Sequence, residues 1–395
     1  MNAQAAIEQR LPQVVDFRHS LHRIPELAFE ELKTAAAIRA ELKRLNITCV
    51  EGVPNAPTAT VAWLGDTSKP CIALRADIDA LPIEERTALP YTSTHPGVMH
   101  ACGHDGHTAT LMGVASVLKS MESSLPVCVK LLWQPAEEAG GGGNRLVQAG
   151  VLDGRIGPKV QAIFGLHGWP GLKVGMVATK PGPLLAATDN FIATFVGRGC
   201  HGAFPHLGRD PIITACQAVL NLQQTVSRDF DPVEPLVVTV GLFNAGTAVN
   251  VIPDTATIQA TVRTLTPAAR TKAAECINRR LKGVAAAHDC QVDVKWIEGY
   301  PATINDPAAA DYVARIARQT FGPQRFYPVA MPAMGGEDFA YYLEKTKGCF
   351  FLVGVEPMDA NGYPSLHSDL FNFTDAALPV GMRMFTELVL NWAPQ

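Results

Sequence analysis

Short apolar segments rich in valine, isoleucine and leucine alternate with segments of helical periodicity over the first 180 residues. Three apolar segments have the length and composition of buried strands, at 71–74, 127–133 and 162–166. Between the first two, residues 108–121 show the apolar spacing of a helix. Strands that alternate with helices are typical of an α/β domain with a mixed, mainly parallel sheet, and we predict this fold class here.

The pattern changes after Pro181, Gly182 and Pro183, where we expect a domain boundary. Residues 185–300 then follow the order strand, helix, strand, strand, helix, strand, which predicts a ferredoxin-like βαββαβ unit. Its predicted elements are strands at 190–196, 236–243, 255–264 and 291–298 and helices at 211–226 and 267–287. A unit of this size fits an inserted lid or dimerisation domain.

The α/β pattern returns after Tyr300 and Pro301, with a helix at 306–321, an apolar strand at 349–355 and a final helix at 374–392. The length of 395 residues also exceeds what one hydrophobic core usually spans. We therefore predict that residues 1–184 and 301–395 form one discontinuous catalytic domain, interrupted by 185–300. Three domains in series are the alternative, but the last of them would have few strands of its own.

The composition disfavours several classes of protein. Apolar residues make up 47% and charged residues 18%, as in ordinary globular domains. The net charge is only -4 and the lysines and arginines are spread along the chain, so nucleic acid and anionic membranes are poor candidate partners. No run of 18 uninterrupted apolar residues exists, which disfavours a membrane span.

The N-terminal segment and the cysteines favour a cytoplasmic protein. Residues 1–23 have the pattern of an amphipathic helix and lack the continuous apolar core of a signal peptide. The nine cysteines are odd in number and scattered without paired spacing, which suits reduced thiols.

Four stretches concentrate metal-ligand residue types, and each lies where a predicted strand ends. They are 75–79, 100–107, 134–138 and 165–168. The carboxyl ends of strands line the ligand crevice of an open α/β sheet. We therefore expect these acids, imidazoles and a thiol to converge on one cleft.

Cys102 and His104 form the densest of these stretches with their neighbours. A thiol and an imidazole separated by one glycine, just before a predicted helix, can bind zinc or manganese. A cysteine and a histidine at this spacing, without other ligand residues nearby, are more often a buried cysteine beside a surface histidine. Four histidines, one cysteine and one aspartate between His95 and His107 are, however, too dense a set for an apolar core.

The adjacent pair Glu137 and Glu138 suggests a division of labour, in which one carboxylate binds metal and its neighbour acts as a general base on a water. Standing alone, the pair would be interpreted as an exposed acidic turn. His167 and His367 bring the ligand set with Cys102, His104 and Glu138 to five, enough for two ions that share a bridge.

Two aspartates lie close to this set in sequence. Asp77 and Asp79 could orient an imidazole as carboxylates behind the ligands, or could simply lie in a turn at a strand end.

Six segments together resemble one known family, the amidohydrolase branch of the aminoacylase and glutamate carboxypeptidase metallopeptidases. Hippurate hydrolases and plant auxin-conjugate hydrolases belong to this branch. The resemblance runs in the same order from about Phe17 to the final helix, through segments 75–82, 99–107, 134–138, 199–206, 250–254 and 334–339.

The resemblance implies a role for particular residues. It implies a two-metal site of Cys102, His104, Glu138, His167 and His367, with Glu137 as base and Asp79 as the orienting aspartate. Where the wider clan has a histidine ligand this chain has Asp77, a departure that suits the branch using Cys102. The resemblance also implies lid residues that contact the substrate: His201 for the oxyanion, often donated by a partner subunit, Asn250 and Arg263 for the substrate carboxylate, and Gly335 in a substrate-lining loop.

The expected activity is hydrolysis of the amide bond of small N-acyl amino acids of the hippurate type. We expect two divalent ions, with zinc first and manganese, cobalt or nickel as alternatives, and a homodimer or higher homo-oligomer formed through the lid. Three alternatives stay open: deacetylation of N-acetyl-diaminopimelate or cleavage of bulkier amides, a nucleophilic Cys102 with a histidine base, and a metal-binding or peptide-binding protein without catalysis.

Overall fold

The computed structural model describes residues 3–393, which divide into two compact units. The first unit extends to Leu184 and continues with Ile304–Met331 and the chain from Asp338 onward; the second comprises Leu185–Thr303 and Pro332–Glu337. The sequence-based division assigned residues 301–303 and 332–337 to the first domain instead. The later segment belongs to the second unit because Ala186 N donates to Gly335 O at 2.8 Å and Leu185 forms a parallel bridge with Ala333.

The described residues contain nine α-helices and sixteen strands. The helices are α1 (Ala3–His22), α2 (Leu32–Arg44), α3 (His104–Lys119), α4 (Gly142–Ala149), α5 (Pro211–Gln224), α6 (Pro267–Ala287), α7 (Pro307–Phe321), α8 (Ala340–Leu343) and α9 (Leu378–Leu390). The strands are β1 (Cys49–Val53), β2 (Ala56–Leu64), β3 (Cys71–Asp77), β4 (Cys128–Gln134), β5 (Val160–Lys173), β6 (Val177–Thr179), β7 (Gly182–Leu185), β8 (Ala187–Val196), β9 (Cys200–His201), β10 (Leu236–Ala245), β11 (Val251–Ile252), β12 (Thr255–Thr264), β13 (Gln291–Ile297), β14 (Thr303–Asn305), β15 (Phe326–Pro328) and β16 (Lys347–Glu356).

Two helices begin at other residues than the sequence pattern predicts, in one case because the predicted start lies outside the described residues. The predicted N-terminal helix at 1–23 corresponds to α1, and its first two residues lie outside the described part of the chain. The helix predicted to start at Thr108 starts four residues earlier, at His104, because the left-handed turn that precedes it is at Gly103.

The first unit is built on an eight-stranded sheet, counted over residues 3–393, in the order β1-β2-β4-β3-β5-β16-β6-β15. Strand β3 runs parallel to β4 and β5, and β16 runs parallel to β5. Every residue of β3 and β4 is buried, as expected for strands covered on both faces. Helices α1, α3 and α9 pack against one another in this unit.

The second unit contains a four-stranded antiparallel sheet in the order β10-β12-β8-β13, with α5 and α6 packed on it. Strand β12 alternates buried and less buried residues, as expected of a sheet with one covered face. Phe191, Ile258 and Ile277 contribute to its separate core. The strands of this sheet and the two helices follow one another as βαββαβ, and the two-residue strands β9 and β11, which the sequence pattern does not predict, form a separate pair.

The helices and the cysteines can be compared with what the sequence predicts. Within residues 3–393, no helix is both long enough and apolar enough to cross a lipid bilayer. All nine cysteines are described and all are free thiols.

Candidate metal centre

Three neighbouring parallel strands bring the predicted site segments to one edge of the large sheet. Strand β3 ends at Asp77, which lies in register with Gln134 at the end of β4. On the other side of β3, the last residue pair between β3 and β5 is Arg75 with Gly165, and His167 lies two residues further along β5. The segments that follow β3 and β4 hold Asp79 and Glu138, so acids and an imidazole meet at this edge.

Helix α3 begins at the same edge, after a turn that requires glycine. Gly103 has a φ of +85°, a conformation that side chains rarely tolerate. A Cβ atom there would also lie 3.1 Å from the Phe373 ring and 3.2 Å from the Phe371 ring. The turn places Cys102 just before the helix and His104 in its first position, where the helix dipole favours negative charge nearby.

The structure brings all five predicted ligands together in what we call the donor cluster: Cys102, His104, Glu138, His167 and His367. Sγ of Cys102 lies 3.3 Å from Nε2 of His167. Oε1 of Glu138 lies 3.1 Å from Nε2 of His367 and 3.9 Å from Nε2 of His104. The ligand atoms of Cys102, His104 and His167 all lie within 4.8 Å of one another. The same holds for the ligand atoms of Cys102, Glu138 and His367. Cys102 is therefore common to two adjacent groups of three donors.

Two donor atoms of the cluster are buried without a hydrogen bond. Nδ1 of His104 lies 3.2 Å from Oδ1 of Asp79, to which its N–H can donate. The other ring nitrogen, Nε2, has no hydrogen-bond partner in the described structure. Oε1 of Glu138 is also buried, and its approach to His367 lacks hydrogen-bond geometry. Buried polar atoms are rarely left unpaired, so these two atoms indicate a site for a ligand.

Backbone strain occurs at two points in the same region. Ala136, just before the glutamate pair, has a φ of +56°, and His367 has a φ of +64°. Neither is a glycine, and such conformations cost free energy that the surrounding structure must supply. At His367 the backbone N–H is fixed by the carbonyl of Ala101 at 2.9 Å. Strain of this kind clusters at functional sites.

Charge in the donor cluster is unbalanced. Burial and the carboxylates of Glu138 and Glu137 raise the pKa of the Cys102 thiol well above its usual range. Burial lowers the pKa of His104, but Asp77, Asp79 and Glu138 outweigh burial and raise it to about 10. The acids thus hold protons on both groups, and the excess negative charge attracts cations.

The donor set fits a divalent cation. Thiol, imidazole and carboxylate donors are the ligands that zinc and related transition metals prefer. The unpartnered Nε2 of His104 faces other donors, and Nδ1 of the same ring is held by Asp79. This is the usual arrangement of a metal-binding histidine, whose second nitrogen donates to a carboxylate.

The two predicted orienting aspartates contact different partners. Asp79 approaches His104 through Oδ1, and its Oδ2 accepts a hydrogen bond from the Glu138 amide at 3.0 Å. Asp77 lies 2.7 Å from Nδ1 of His107 and 2.6 Å from Nη1 of Arg75. Asp79 therefore contacts two members of the donor cluster. The closest partners of Asp77 are Arg75 and His107, which are not members of it.

Glu137 is buried beside the donor cluster, with only 6% of its surface exposed. It forms a group of three with His104 and Glu138 whose ligand atoms lie within 4.8 Å of one another. Its Oε1 accepts a hydrogen bond from the backbone N–H of Asp338 at 3.3 Å.

The remaining predicted site residues lie in the second unit. His201 is exposed on β9 and pairs in register with Val251 of β11, next to the exposed Asn250. Nδ1 of His201 accepts a hydrogen bond from Ala203 N at 3.1 Å. Arg263 is half-buried on β12. Gly335 accepts the Ala186 hydrogen bond that joins its segment to this unit.

Sequence reasoning missed the part played by His107. Its Nδ1 donates to Asp77, and its Nε2 accepts the Gly168 N–H at 2.8 Å. The ring also packs edge-on against His167, with centroids 4.6 Å apart. The spacing of three residues from His104, which places both on one face of α3, was the available signal.

A cavity in the first unit lies apart from the donor cluster. It has a volume of about 770 Å³ and lies near the amino ends of β3, β5 and β16, where Cys71, Val160 and Lys347 line it. No donor-cluster residue lines this cavity. The chemistry of the side chains, and not cavity size, identifies the candidate site.

Comparison with known proteins decides the family. The sequence model described as peptidase family M20/M25/M40 matches residues 73–391. The chain belongs to this family. The resemblance inferred from the motifs is thereby confirmed, and the chain is a metal-dependent amide hydrolase of the M20 type.

Relatives in two kingdoms support this assignment. An N-acetyl-L-cysteine deacetylase of Bacillus subtilis is 42% identical over 371 residues, which cover 93% of this chain and 85% of the relative. IAA-amino acid hydrolase ILR1-like 4 of Arabidopsis thaliana is 37% identical, covering 96% of this chain and 85% of the relative.

A solved structure supports the fold. The YXEP protein of Bacillus subtilis, described as a dinuclear metal-binding peptidase of the M20 family, superposes with a TM-score of 0.83 at 36% identity. The match covers 97% of this chain and 98% of that one. The predicted α/β class with a large, mainly parallel sheet is confirmed.

Proposed function

We propose that this M20 hydrolase cleaves the amide bond of small N-acyl amino acids and that its donor cluster holds two divalent cations. The observation that carries the proposal is a close set of sulfur, nitrogen and oxygen donors, buried except for the exposed His367 and the partly buried Glu138, beside the buried carboxylate of Glu137. Two of the donor atoms have no hydrogen bond. The relatives named above act, by their names, on an N-acetyl amino acid and on an IAA-amino acid. Hippurate belongs to the same chemical class of N-acyl amino acids.

The proposed roles follow the positions of the side chains. Cys102, His104, Glu138, His167 and His367 would ligate the cations, and Asp79 would orient His104 through its Nδ1–H. When bound, such cations lower the pKa of a water molecule and polarise the amide carbonyl. Zinc suits the thiol and imidazoles, while manganese, cobalt and nickel are alternatives.

Glu137 is the proposed general base. Its buried carboxylate would accept the proton of the attacking water and return it to the amine of the leaving amino acid. Within the same proposal, His201 stabilises the oxyanion, in its own or a partner subunit, and Asn250, Arg263 and Gly335 contact the substrate. These four assignments depend on the motifs of the family, as does the proposed pairing of chains through the second unit.

A cysteine nucleophile is the rival mechanism, because Sγ of Cys102 lies 3.3 Å from a histidine nitrogen. Burial and the neighbouring carboxylates, however, raise the pKa of this thiol, whereas a nucleophilic cysteine needs a lowered one. The environment of Cys102 therefore favours a ligand over a nucleophile. Activity that survives exhaustive removal of metal would reverse this conclusion.

A substrate panel tests the proposal. Hippurate, N-acetyl-L-cysteine, indole-3-acetyl amino acids and N-acetyl-diaminopimelate should be assayed with metal-loaded protein. We expect turnover of at least one of these amides; hydrolysis of none of them by protein that contains metal would contradict the proposal and favour a binding protein without catalysis.

Glu137→Gln is the matching variant. We expect it to keep its metal and lose activity by about 100- to 10,000-fold, the usual contribution of a general base. Glu344→Gln, an exposed glutamate of the same unit, is the control and should keep full activity. Near-normal turnover in Glu137→Gln would refute the base assignment.

A further inference from the structure

A buried hydrogen-bonded group lies directly behind Glu137 and is not accounted for by the proposed roles. We call it the Asp338 cluster: Arg75, Gln134, Gly143, Asp338 and Tyr342. All five residues are buried. They come from β3, β4, the start of α4 and the segment around α8, so the cluster joins four parts of the first unit.

The carboxylate of Asp338 is the centre of the cluster. Its Oδ1 accepts a hydrogen bond from Nη2 of Arg75 at 2.9 Å, and Nε2 of Gln134 lies 2.9 Å from both oxygens. Its Oδ2 also accepts the backbone N–H of Gly143 at 2.7 Å. A carboxylate with this many donors has a fixed orientation.

The partners of Asp338 are themselves held in place. Arg75 donates from Nε to Oε1 of Gln134 at 2.8 Å and from Nη1 to Asp77 at 2.6 Å. The hydroxyl of Tyr342 donates to the same Gln134 oxygen at 3.0 Å. The amide of Gln134 therefore has its donor and acceptor ends assigned, and the group forms one connected network.

The backbone of Asp338 connects this network to the site. Its N–H donates to Oε1 of Glu137 at 3.3 Å. We propose that Asp338 is a positioning residue for Glu137: the network fixes its carboxylate, and its amide thereby orients the carboxylate of the general base. The inference rests on the proposed role of Glu137 and adds a residue that does not touch the reacting atoms.

A double-mutant cycle tests the inference. Asp338→Asn keeps the shape of the side chain but replaces one oxygen by an amide N–H₂ that faces two donors, Gln134 and either Arg75 or Gly143. We expect kcat to fall by about 10- to 100-fold with KM within about twofold, because positioning residues behind a site typically have effects of this size. The metal content should stay at the wild-type level.

The same change in the Glu137→Gln background should lower the residual kcat by less than about twofold, because residues that act as a unit are not additive. A loss of the same factor in both backgrounds, or loss of metal from the single variant, would overturn the inference. If Glu137→Gln alone retains turnover, the proposed base fails first, which is a distinguishable result.

Two further variants provide a substitute for Asp338→Asn and a control. Gln134→Met removes the contacts to both Asp338 oxygens by a different route and should show the same dependence on Glu137 if Asp338→Asn does not fold. Asp306→Ala removes a helix-capping carboxylate, which accepts the Ala309 N–H at 2.9 Å elsewhere in the unit. It should change stability but not kcat.

Discussion

Two buried charged clusters contact the first turn of α3, and they differ in how their charges are matched. One is the donor cluster. The other, the paired cluster, consists of Arg18, His22, Glu85 and Asp105. Arg18 Nε and His22 Nδ1 both lie 2.9 Å from Oδ2 of Asp105, and His22 Nε2 lies 3.2 Å from Glu85.

The paired cluster is close to electrostatic balance. Arg18 also lies 2.5 Å from Asp375, so that two cationic groups face three carboxylates. Burial lowers the pKa of His22, but Asp105 and the hydrogen bond to Glu85 outweigh it and raise the pKa to about 9. Each cationic group therefore has anionic partners at hydrogen-bond distance.

In the donor cluster the charged and polar groups are less well matched. His104 Nε2 is buried without a partner, its closest oxygens are 3.8 and 3.9 Å away, and the acids around Cys102 keep its thiol protonated. Oδ1 of Asp105 in the paired cluster also lacks a hydrogen bond, so the two clusters differ in how their charges are matched. A matched network holds the fold together, whereas an unmatched one is a site where a ligand supplies the missing charge.

Breaking the paired cluster should have the largest effect on stability. Arg18→Met removes one of the two cationic partners of the buried Asp105 and leaves only His22, which we expect to lower the free energy of unfolding by about 3 kcal/mol. Arg10→Met on the same helix removes a hydrogen bond to Ser116 at 2.7 Å and serves as control, with an expected loss of about 1 kcal/mol. Chemical denaturation of metal-free protein measures both. Equal losses in the two variants would contradict the contrast between the clusters.

Removing an acid from the donor cluster should act differently. Glu138→Gln removes a carboxylate whose pKa His367 and His104 hold below its usual range in spite of burial, so we expect the melting temperature of metal-free protein to fall modestly. Metal affinity should fall by at least about 100-fold, because loss of a metal ligand weakens metal binding more than loss of a residue that only orients a ligand. Thermal melts with and without metal measure both effects. A destabilised metal-free variant with wild-type affinity would show that Glu138 is a structural residue.

The smallest predicted effect concerns pH. Because the pKa of His22 is raised in the folded protein, its stabilising contribution is complete below about pH 6.5 and is lost as the pH rises through about 9. We expect the free energy of unfolding to fall over this window by roughly 1–3 kcal/mol from this group. In His22→Gln the fall should be shallower, while the exposed His206→Gln should follow wild type. Parallel curves for all three proteins would contradict this origin of the pH dependence.

The sequence predicts the local parts of this structure well. The apolar segments predict β3, β4, β5 and β16 of the first unit and the four long strands of the second, but not β1, β2, β6 or β15 of the large sheet. The dense set around Cys102 and His104, with Glu138, His167 and His367, predicts five donors that do meet in space. The start of α3 was wrong by four residues because polar histidines hide the beginning of a helix whose first turn is buried.

The contacts that hold the site in place could not be predicted in the same way. Arg18 meets Asp105 across 87 positions, and Asp338 meets Gln134 across 204. No periodicity or motif encodes a pair at such separation, because the pairing depends on which strands become neighbours in the folded sheet. The same reason explains why Arg75, inside a buried strand, gives no sign in the sequence of the carboxylates it joins.

Titration of metal-free protein with Zn²⁺ or Mn²⁺ tests the central claim most directly. Calorimetry at neutral pH, with metal analysis of the product, should give about two ions per chain. It should also show release of protons, since Cys102 and His104 hold theirs in the absence of metal. Both signals should disappear in the double variant Cys102→Ser, His104→Ala. Full stoichiometric binding by that variant, or no binding by the wild type, would contradict the account.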